Sequence, residues 1–484
     1  MKKIISKLKE IHLTYGYVIY SLILLLGLFV RLYKISTPLA DWHSFRQVDT
    51  ASVSRLYLEN GINLLFPKYH DISRVQSGIF NPEGYRFVEF PLYNAFVTVL
   101  VKLLPLFTLE TWGRLLSIYF SLLSSILIYK ITFSIFGKIE ALFALGLYLF
   151  LPYNIFFSRV FLPEPAAVFY TLTFLYLFLC YQRSRNLSLL IFSAISLSLA
   201  VLTKPYVIVF GLPAAYYFYQ SLKLKGLIKS LNVWIFSLII LIPFFLWRFW
   251  ISRFPEGIPF WKWVFNGDGI RLHPAYWYWL YGERIGKLIL GVWGVIPLFV
   301  GAVSLRKKDG FMISLLTASI FYLLVIATAN VRHDYYQILI VPYIVIIMSY
   351  GLRLLYDLLV KINSKNKVLI SIFLMLLLSL VISAFQVKEY YKINHPEIIS
   401  AGNAVDRLAP SEARVIASYN GDTAFLYFTK RSGWPVVELP IAQLIEEGAE
   451  YYASVNLSDP QTKEFMNRFE ILEKTDTYVV LKLQ

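Results

Sequence analysis

The chain has 484 residues, of which 57% are hydrophobic and only 16% charged, and it carries a formal net charge of +16. A soluble domain has roughly a quarter charged residues, so the composition excludes an ordinary soluble enzyme and indicates a polytopic membrane protein. The surplus lysines and arginines sit in short loops between apolar runs, where they act as an orientation signal and not as a nucleic-acid surface.

The basic start, Lys2 to Lys9, precedes an apolar run at about 16–34 without a small-residue cleavage site, so it reads as a retained first helix. Further apolar runs fall at about 91–109, 112–135, 139–157, 164–182, 187–203, 205–221, 231–250, 285–304, 311–329, 335–357 and 367–386. The later basic clusters are Lys130–Lys138, Arg183 with Arg185, Lys223–Lys229, Arg306–Lys308 and Lys361–Lys367. They all face the cytoplasm only if one run does not cross. The run at 91–109 contains Lys102 and Pro105, and a lysine near mid-membrane costs at least about 2.5–3.5 kcal/mol. It is therefore expected to lie at the outer interface. The expectation is about eleven spans, with the amino terminus in the cytoplasm and the carboxyl terminus outside.

Between the first run and the interfacial one, Asp41–Tyr93 is dense in Asp, His, Arg and Glu. Ser44 and Gln47 have the spacing of a capping box, and Phe45, Val48, Val53, Leu56 and Tyr57 share one helical face up to Gly61. That predicts an amphipathic helix lying on the outer membrane surface. An irregular connector, 62–88, then leads to Glu89-Phe-Pro-Leu-Tyr93, so the outer catalytic loop is expected to cover 35–111. A tight outer turn follows at Phe157–Pro165, with Arg159 and Glu164. Residues 187–221 are 35 nearly unbroken apolar positions, roughly 50 Å as a helix. Lys204-Pro205 must break them into a hairpin with Lys204 at its outer tip. The aromatic-rich loop 251–284, including Trp261–Trp279, reads as packing and a membrane-interface belt, and Asn330–Tyr336 also faces outside.

From about Lys388 the composition turns soluble, with ten Lys/Arg against fourteen Asp/Glu. Strands at Arg414–Ser418, Tyr451–Val455 and Tyr478–Leu483 alternate with helical patterns at Pro396–Leu408, Ile441–Gly448 and Pro460–Arg468. Two domains are expected: a membrane domain, 1–387, and an extracytoplasmic α/β domain, 388–484. Cys180 stands alone in an apolar run, which rules out a disulfide within the chain. No internal repeat, P-loop or CxxC motif is present.

This topology puts Asp41, His43, Arg46, Asp49, Glu89, Arg159, Glu164, Lys204, Arg332 and His333 on one side of the membrane. Converging cations and carboxylates there suit chemistry on a phosphate-linked lipid. Cations hold the phosphate and a carboxylate takes a proton from an attacking hydroxyl. Asp41, just before a helix start whose dipole favours its ionised form, is the expected base. Asp49 is its rival, although it could simply pair with Arg46 or Arg55. Arg46, Lys204 and the Arg332/His333 pair are phosphate candidates, Glu89 a substrate or metal ligand, and Glu164 an orienting acid. His43 and Glu89 could share a divalent ion, but two scattered ligands are a weak metal signature. No obligatory metal is expected.

The stretches Asp41-Trp-His-Ser-Phe-Arg-Gln47, Glu89-Phe-Pro-Leu-Tyr93, Arg159 with Pro163-Glu164-Pro165, Leu202-Thr-Lys-Pro205 and His333-Asp-Tyr-Tyr336 resemble the polyprenyl-phosphate-sugar-dependent glycosyltransferases. These are GT-C fold enzymes similar to the protein O-mannosyltransferases and the aminoarabinose transferases of lipid A, and the resemblance covers about residues 15–360. It implies a multi-pass cell-membrane enzyme with an inverting mechanism. Its partners would be a polyprenyl-phosphate sugar donor, membrane lipid, and an acceptor glycan, lipid or protein, with no nucleic acid. It assigns Asp41 as the catalytic acid of the first loop, Glu89 as the glutamate of a Glu-x-Pro-Pro-Leu motif lacking one proline, and Glu164 as the second-loop acid. His43, Arg46, Asp49, Arg159, Lys204, Arg332, His333 and Tyr336 complete the expected substrate site. The mannosyltransferases pair Asp with Glu in the first loop, whereas here Asp41 is followed by Trp42, a departure from the protein-mannosylating pattern. The competing class is a transporter or flippase for lipid-linked sugars, which would place its site near the midplane on inverted repeats.

Overall fold

The computed structural model describes residues 18–484; the basic start Lys2–Lys9 lies outside them. Among the described residues, six helices are long and apolar enough to cross a bilayer: Leu109–Ile135, Glu164–Ser184, Leu231–Ile251, Lys307–Val325, Val341–Leu359 and Lys365–Tyr391. Val18–Arg31, Leu92–Leu103 and Leu187–Thr203 are shorter apolar helices. We number those that frame the site α1 (Val18–Arg31), α2 (Ser44–Asn60), α3 (Leu92–Leu103), α4 (Leu109–Ile135), α5 (Lys138–Phe150), α6 (Pro152–Phe157), α7 (Glu164–Ser184) and α8 (Leu187–Thr203). The twelve residues of α3 rise about 18 Å, too little for a hydrocarbon core of about 30 Å.

Several expected runs are segmented. The run at 139–157 is interrupted at Leu151, where Pro152 begins a new helix because its ring and missing N–H stop the old one. The run at 205–221 starts as a 3₁₀ turn, Pro205–Gly211. The run at 285–304 is no single helix: a wide-turn helix ends at Ile289, the chain passes through positive φ at Gly291 and Val292, and Val295–Val303 supplies only nine residues. Its freed carbonyls are met from the long helix Lys365–Val387, where Ser383 Oγ donates to Leu288 O at 2.6 Å and Ser379 to Leu290 O.

The largest departure is α2. It does not lie on a membrane surface: Arg46 through Ser54 are all buried, and the helix packs against α3 and against Thr423–Thr429 of the carboxyl-terminal domain. Polar residues occupy its inner side because protein, and not lipid, surrounds it. The capping box is also absent. His43 takes the N-cap position at φ 57° without a side-chain cap, and Gln47 is drawn instead to Asp41.

The carboxyl-terminal domain contains a five-stranded sheet in the order β2-β1-β3-β5-β4. Its strands are β1 (Arg414–Ser418), β2 (Gly433–Trp434), β3 (Ala449–Ser454), β4 (Glu470–Lys474) and β5 (Val479–Lys482). β1 runs parallel to β2 and β3, while β5 is antiparallel to β3 and β4. The connector 62–88 extends this sheet. Asp71 bridges Gly433, Gly433 N donates to His70 O at 2.9 Å, and Ile72 N donates to Gly433 O at 2.9 Å. Arg74 adds ion pairs to Glu438 at 3.1 Å and Glu447 at 2.5 Å. The carboxyl-terminal domain is thereby clamped to the connector 62–88.

Candidate active site

The start of α2, with Phe45, Arg46 and Asp49, and the break after α8 at Lys204-Pro205 face one cavity of about 610 Å³. That lies within the range of small-molecule sites. Its polar wall carries Arg46, Asp49, Arg86, Glu89, Lys204, Arg248 and His333. Aromatic side chains complete the lining, among them Tyr206, Phe260, Trp261, Trp263, Tyr335 and Tyr336. A second cavity of about 600 Å³, lined almost wholly by apolar side chains such as Leu197, Phe218, Phe236 and Ile240, shares Ile208, Val209 and Phe321 with it. A polar chamber therefore adjoins an apolar one among the membrane helices.

Four alternating charges organise the polar wall. Lys204 caps the end of α8 and reaches Glu164 Oε1 at 2.6 Å and Glu89 Oε1 at 3.2 Å. Arg46 also binds Glu89 through Oε1. Both contacts to Glu89 fall on that oxygen, leaving Oε2 without a protein partner. Burial alone would raise the Glu89 carboxyl, but Arg46, Lys204 and Arg86 outweigh it and hold the group below the usual carboxylate value. Burial works against the charge of Lys204, and Glu164 and Glu89 reverse that, leaving its ammonium above the ordinary value. Arg46 follows the same balance. Glu89, Lys204 and Arg46 are thus charged at neutral pH. Glu164 is completely buried, and its Oε2 has no partner among the described residues. Asp49 is held separately by Arg86 at 2.6 Å and Thr423 Oγ1 at 2.6 Å.

Asp41 does not line the large cavity. Its Oδ2 accepts from Arg114 and Arg159, both at 3.1 Å, and its Oδ1 from Gln47 at 2.7 Å. Arg159, expected as a substrate ligand, is fully buried and spends its guanidinium on Asp41 and Lys34 O. It braces the loop and reaches neither cavity wall. Asp41 lies instead on a third, polar cavity of about 240 Å³ between the first loop and the carboxyl-terminal domain. Phe45 lines both this cavity and the large one.

His43 and Asp334 link the loop before α2 to the segment Asn330–Tyr336, with Nε2 to Oδ1 at 2.5 Å. Asp334 also accepts from Trp42 at 3.1 Å, from Arg284 at 3.5 Å and from Tyr390. Burial would raise its carboxyl, but the His43 hydrogen bond and charge and Arg284 hold it below the usual range. His333 lines the large cavity, its ring 5.6 Å from that of His43 and stacked on Tyr335 at 5.5 Å. Burial and the neighbouring His43 lower its pKa to about 4, so it is neutral.

One expected phosphate ligand stays outside the cavity. Arg332 is exposed at the end of Ala327–Arg332 and is not among the cavity-lining residues, because only its neighbour His333 turns inward. His43 and Glu89 do not come together for a divalent ion, since His43 is taken by Asp334 and Glu89 by Arg46 and Lys204. Among the described residues no group of three or more His, Cys, Asp or Glu is placed to hold a metal. The aromatics at Trp261 and Trp263 were read as interface anchors, yet they line the cavity, because loop 251–284 folds onto the connector through Phe87 N to Gly257 O and Phe260 N to Gln76 O, both 2.8 Å.

Sequence reasoning missed Arg86, Arg248 and Arg114. Arg248 is the one charged residue of the apolar run 231–250, the same signal that singled out Lys204, and Arg114 stands near the start of the run 112–135. Arg86 gave no such signal.

A family model described as dolichyl-phosphate-mannose-protein mannosyltransferase matches residues 90–250. That stretch includes Arg159, Glu164 and Lys204 but none of Asp41, Arg46, Glu89 and Asp334. No curated protein sequence gives a significant match. Among solved structures, ArnT from Cupriavidus metallidurans bound to undecaprenyl phosphate superposes with a TM-score of 0.62 at 13% identity, covering 97% of this chain and 98% of that one. The oligosaccharyltransferase AglB from Archaeoglobus fulgidus, in complex with an inhibitory peptide and a dolichol-phosphate, gives 0.58 at 12% identity, covering 96% and 74%. The arabinofuranosyltransferase AftD from Mycobacteria gives 0.57 at 10% identity, covering 96% and 41%. These likenesses establish the fold.

Proposed function

We propose that this chain, which has the GT-C fold, is a membrane glycosyltransferase moving a sugar from a polyprenyl-phosphate donor to an acceptor hydroxyl at the extracytoplasmic face. The observation that carries this reading is the joined pair of cavities, one polar with Arg46 and Lys204 on its wall and one apolar among the membrane helices. A lipid phosphate has the same two parts. The family match over 90–250 and the lipid phosphates bound by ArnT and AglB support it.

In this reading Arg46 and Lys204 neutralise the departing phosphate, a role that preformed cations fill without reorganising. The donor phosphate takes over contacts now made by Glu89 Oε1. Glu89 therefore stands on the leaving-group side, which disqualifies it as the base of an inverting displacement, where attack comes from the opposite face. Asp41, on the wall of the other cavity, is our proposed base. Gln47 occupies only one lone pair of its Oδ1, so that oxygen can accept a hydroxyl hydrogen bond and take the proton as the bond to the sugar forms. Arg114 and Arg159, each 3.1 Å from Oδ2, fix the carboxylate in place. Eleven spans, with the carboxyl-terminal domain outside, remain our proposed topology.

The test is to incubate purified protein with a panel of polyprenyl-phosphate sugars and follow release of the lipid phosphate. Release that disappears in Lys204→Ala supports the reading; no release from any donor argues against it.

A further inference from the structure

We propose that the cavity of about 240 Å³ between the first outer loop and the carboxyl-terminal domain binds the acceptor, and that the acceptor is a glycan. This rests on the glycosyltransferase reading and names its second substrate. Position is the first argument. Asp41 and Phe45 are on this cavity's wall, and Phe45 is also on the wall of the large cavity. An acceptor seated here meets Asp41 and approaches the donor sugar from across the Phe45 ring.

The second argument is the chemistry of the lining. Ser44, Asn394, Tyr419 and Asp422 all line it. The Ser44 hydroxyl, the Asn394 amide and the Tyr419 hydroxyl have no hydrogen-bond partner among the described residues. Asp422 uses Oδ1 to cap Ala424 N at 2.7 Å and leaves Oδ2 open. Donors and acceptors are thus mixed at short spacing, which matches a ring of hydroxyls, each both donor and acceptor. At the rim Lys392 is already paired with Glu389 at 2.5 Å, and His395 Nδ1 is 2.9 Å from Glu397. An anionic ligand therefore finds little net charge here.

The third argument is the aromatic face. Trp42 is 39% exposed, yet its ring is held flat on Tyr390 at 4.8 Å and by its indole N–H to Asp334 at 3.1 Å. A rigid exposed ring costs little ordering entropy when a ligand packs on it. The apolar face of a sugar is such a ligand. Apart from the Trp42 and Phe45 rings, the apolar side chains of the lining are Ala40 and Ile398, too few for the row of side-chain pockets that an extended peptide uses. The volume, below the roughly 300–1,000 Å³ of whole-ligand sites, suits the terminal part of a chain whose remainder stays in solvent.

The test uses the full-length protein in nanodiscs, without donor. Saturation-transfer NMR is recorded with maltotriose, chitotriose and mannotriose in turn. Wild type is expected to transfer saturation to the ring protons of at least one of them. Tyr419→Ala and Asn394→Ala are each expected to cut that signal at least about fivefold while undecaprenyl phosphate binding, the control for folding and the donor site, stays unchanged. No transfer to any of the three sugars, equal transfer in wild type and variants, or displacement by an unglycosylated Ser/Thr peptide would overturn the proposal. Failure here leaves lipid-phosphate release untouched, whereas absent release with intact glycan binding removes only the glycosyltransferase reading.

Discussion

Asp41 and Lys204 have similar burial but opposite settings. Asp41 is an acid between two arginines; Lys204 is a cation between two acids. The account predicts that Asp41→Asn lowers the transfer rate by about 10²–10⁴-fold, the usual scale of a general base, with undecaprenyl phosphate binding retained. A variant transferring at the wild-type rate would remove Asp41 from catalysis. Lys204→Ala strands Glu164, which is fully buried and already has one oxygen unpaired. Breaking such a pair costs about 3–5 kcal/mol, so the melting temperature should fall. Adding Glu164→Gln should restore much of it without restoring donor binding, whereas a double variant no more stable than Lys204→Ala would contradict the pairing. The depressed Glu89 carboxyl has a pH signature. Its contribution to stability is fully present above its ordinary value of 4.5 and is lost as pH falls through the lower folded value. Melting measured from pH 7 to 3 should show that loss reduced in Glu89→Gln.

At the scale of elements, the chain divides into features the sequence displays and features set by tertiary partners. The Lys204 hairpin tip was legible because a lone lysine in 35 apolar positions has few alternatives, and β1 was found at Arg414–Ser418 with its exact ends. α2 was located correctly but its surroundings were not, since periodicity shows a face and not what covers it. The capping box failed for a related reason: Gln47 has Asp41 as a competing acceptor, six residues back. β2 has two residues and depends on the connector for its pairing, so no pattern announced it. That pairing gives a prediction. Ile72→Pro removes the N–H donated to Gly433 O and should loosen the soluble domain, read as faster limited proteolysis near residue 388. Cleavage at the wild-type rate would show that the sheet extension does not hold the domain. The candidate site was legible as a set of loops facing one way. Its partition into two cavities was not, because Phe45 and Asp334 acquire their roles only when loops distant in sequence meet.

At the scale of the molecule, the proposed orientation, drawn from the charge pattern, puts the clamped carboxyl-terminal domain outside the membrane. A reporter fused after Gln484 should signal from the outer compartment; a cytoplasmic signal would contradict the eleven-span topology and place the soluble domain on the wrong side for an acceptor. A transporter built on the same two cavities would leave its lipid-linked sugar chemically intact, and that difference decides the central claim. The direct measurement is to supply an α-linked polyprenyl-phosphate sugar with a glycan acceptor, count released lipid phosphate against transferred sugar, and determine the anomeric configuration of the product by NMR. The account predicts one lipid phosphate for each sugar transferred and a β-linked product. Donor recovered unchanged, or a product that retains the α configuration, would contradict it.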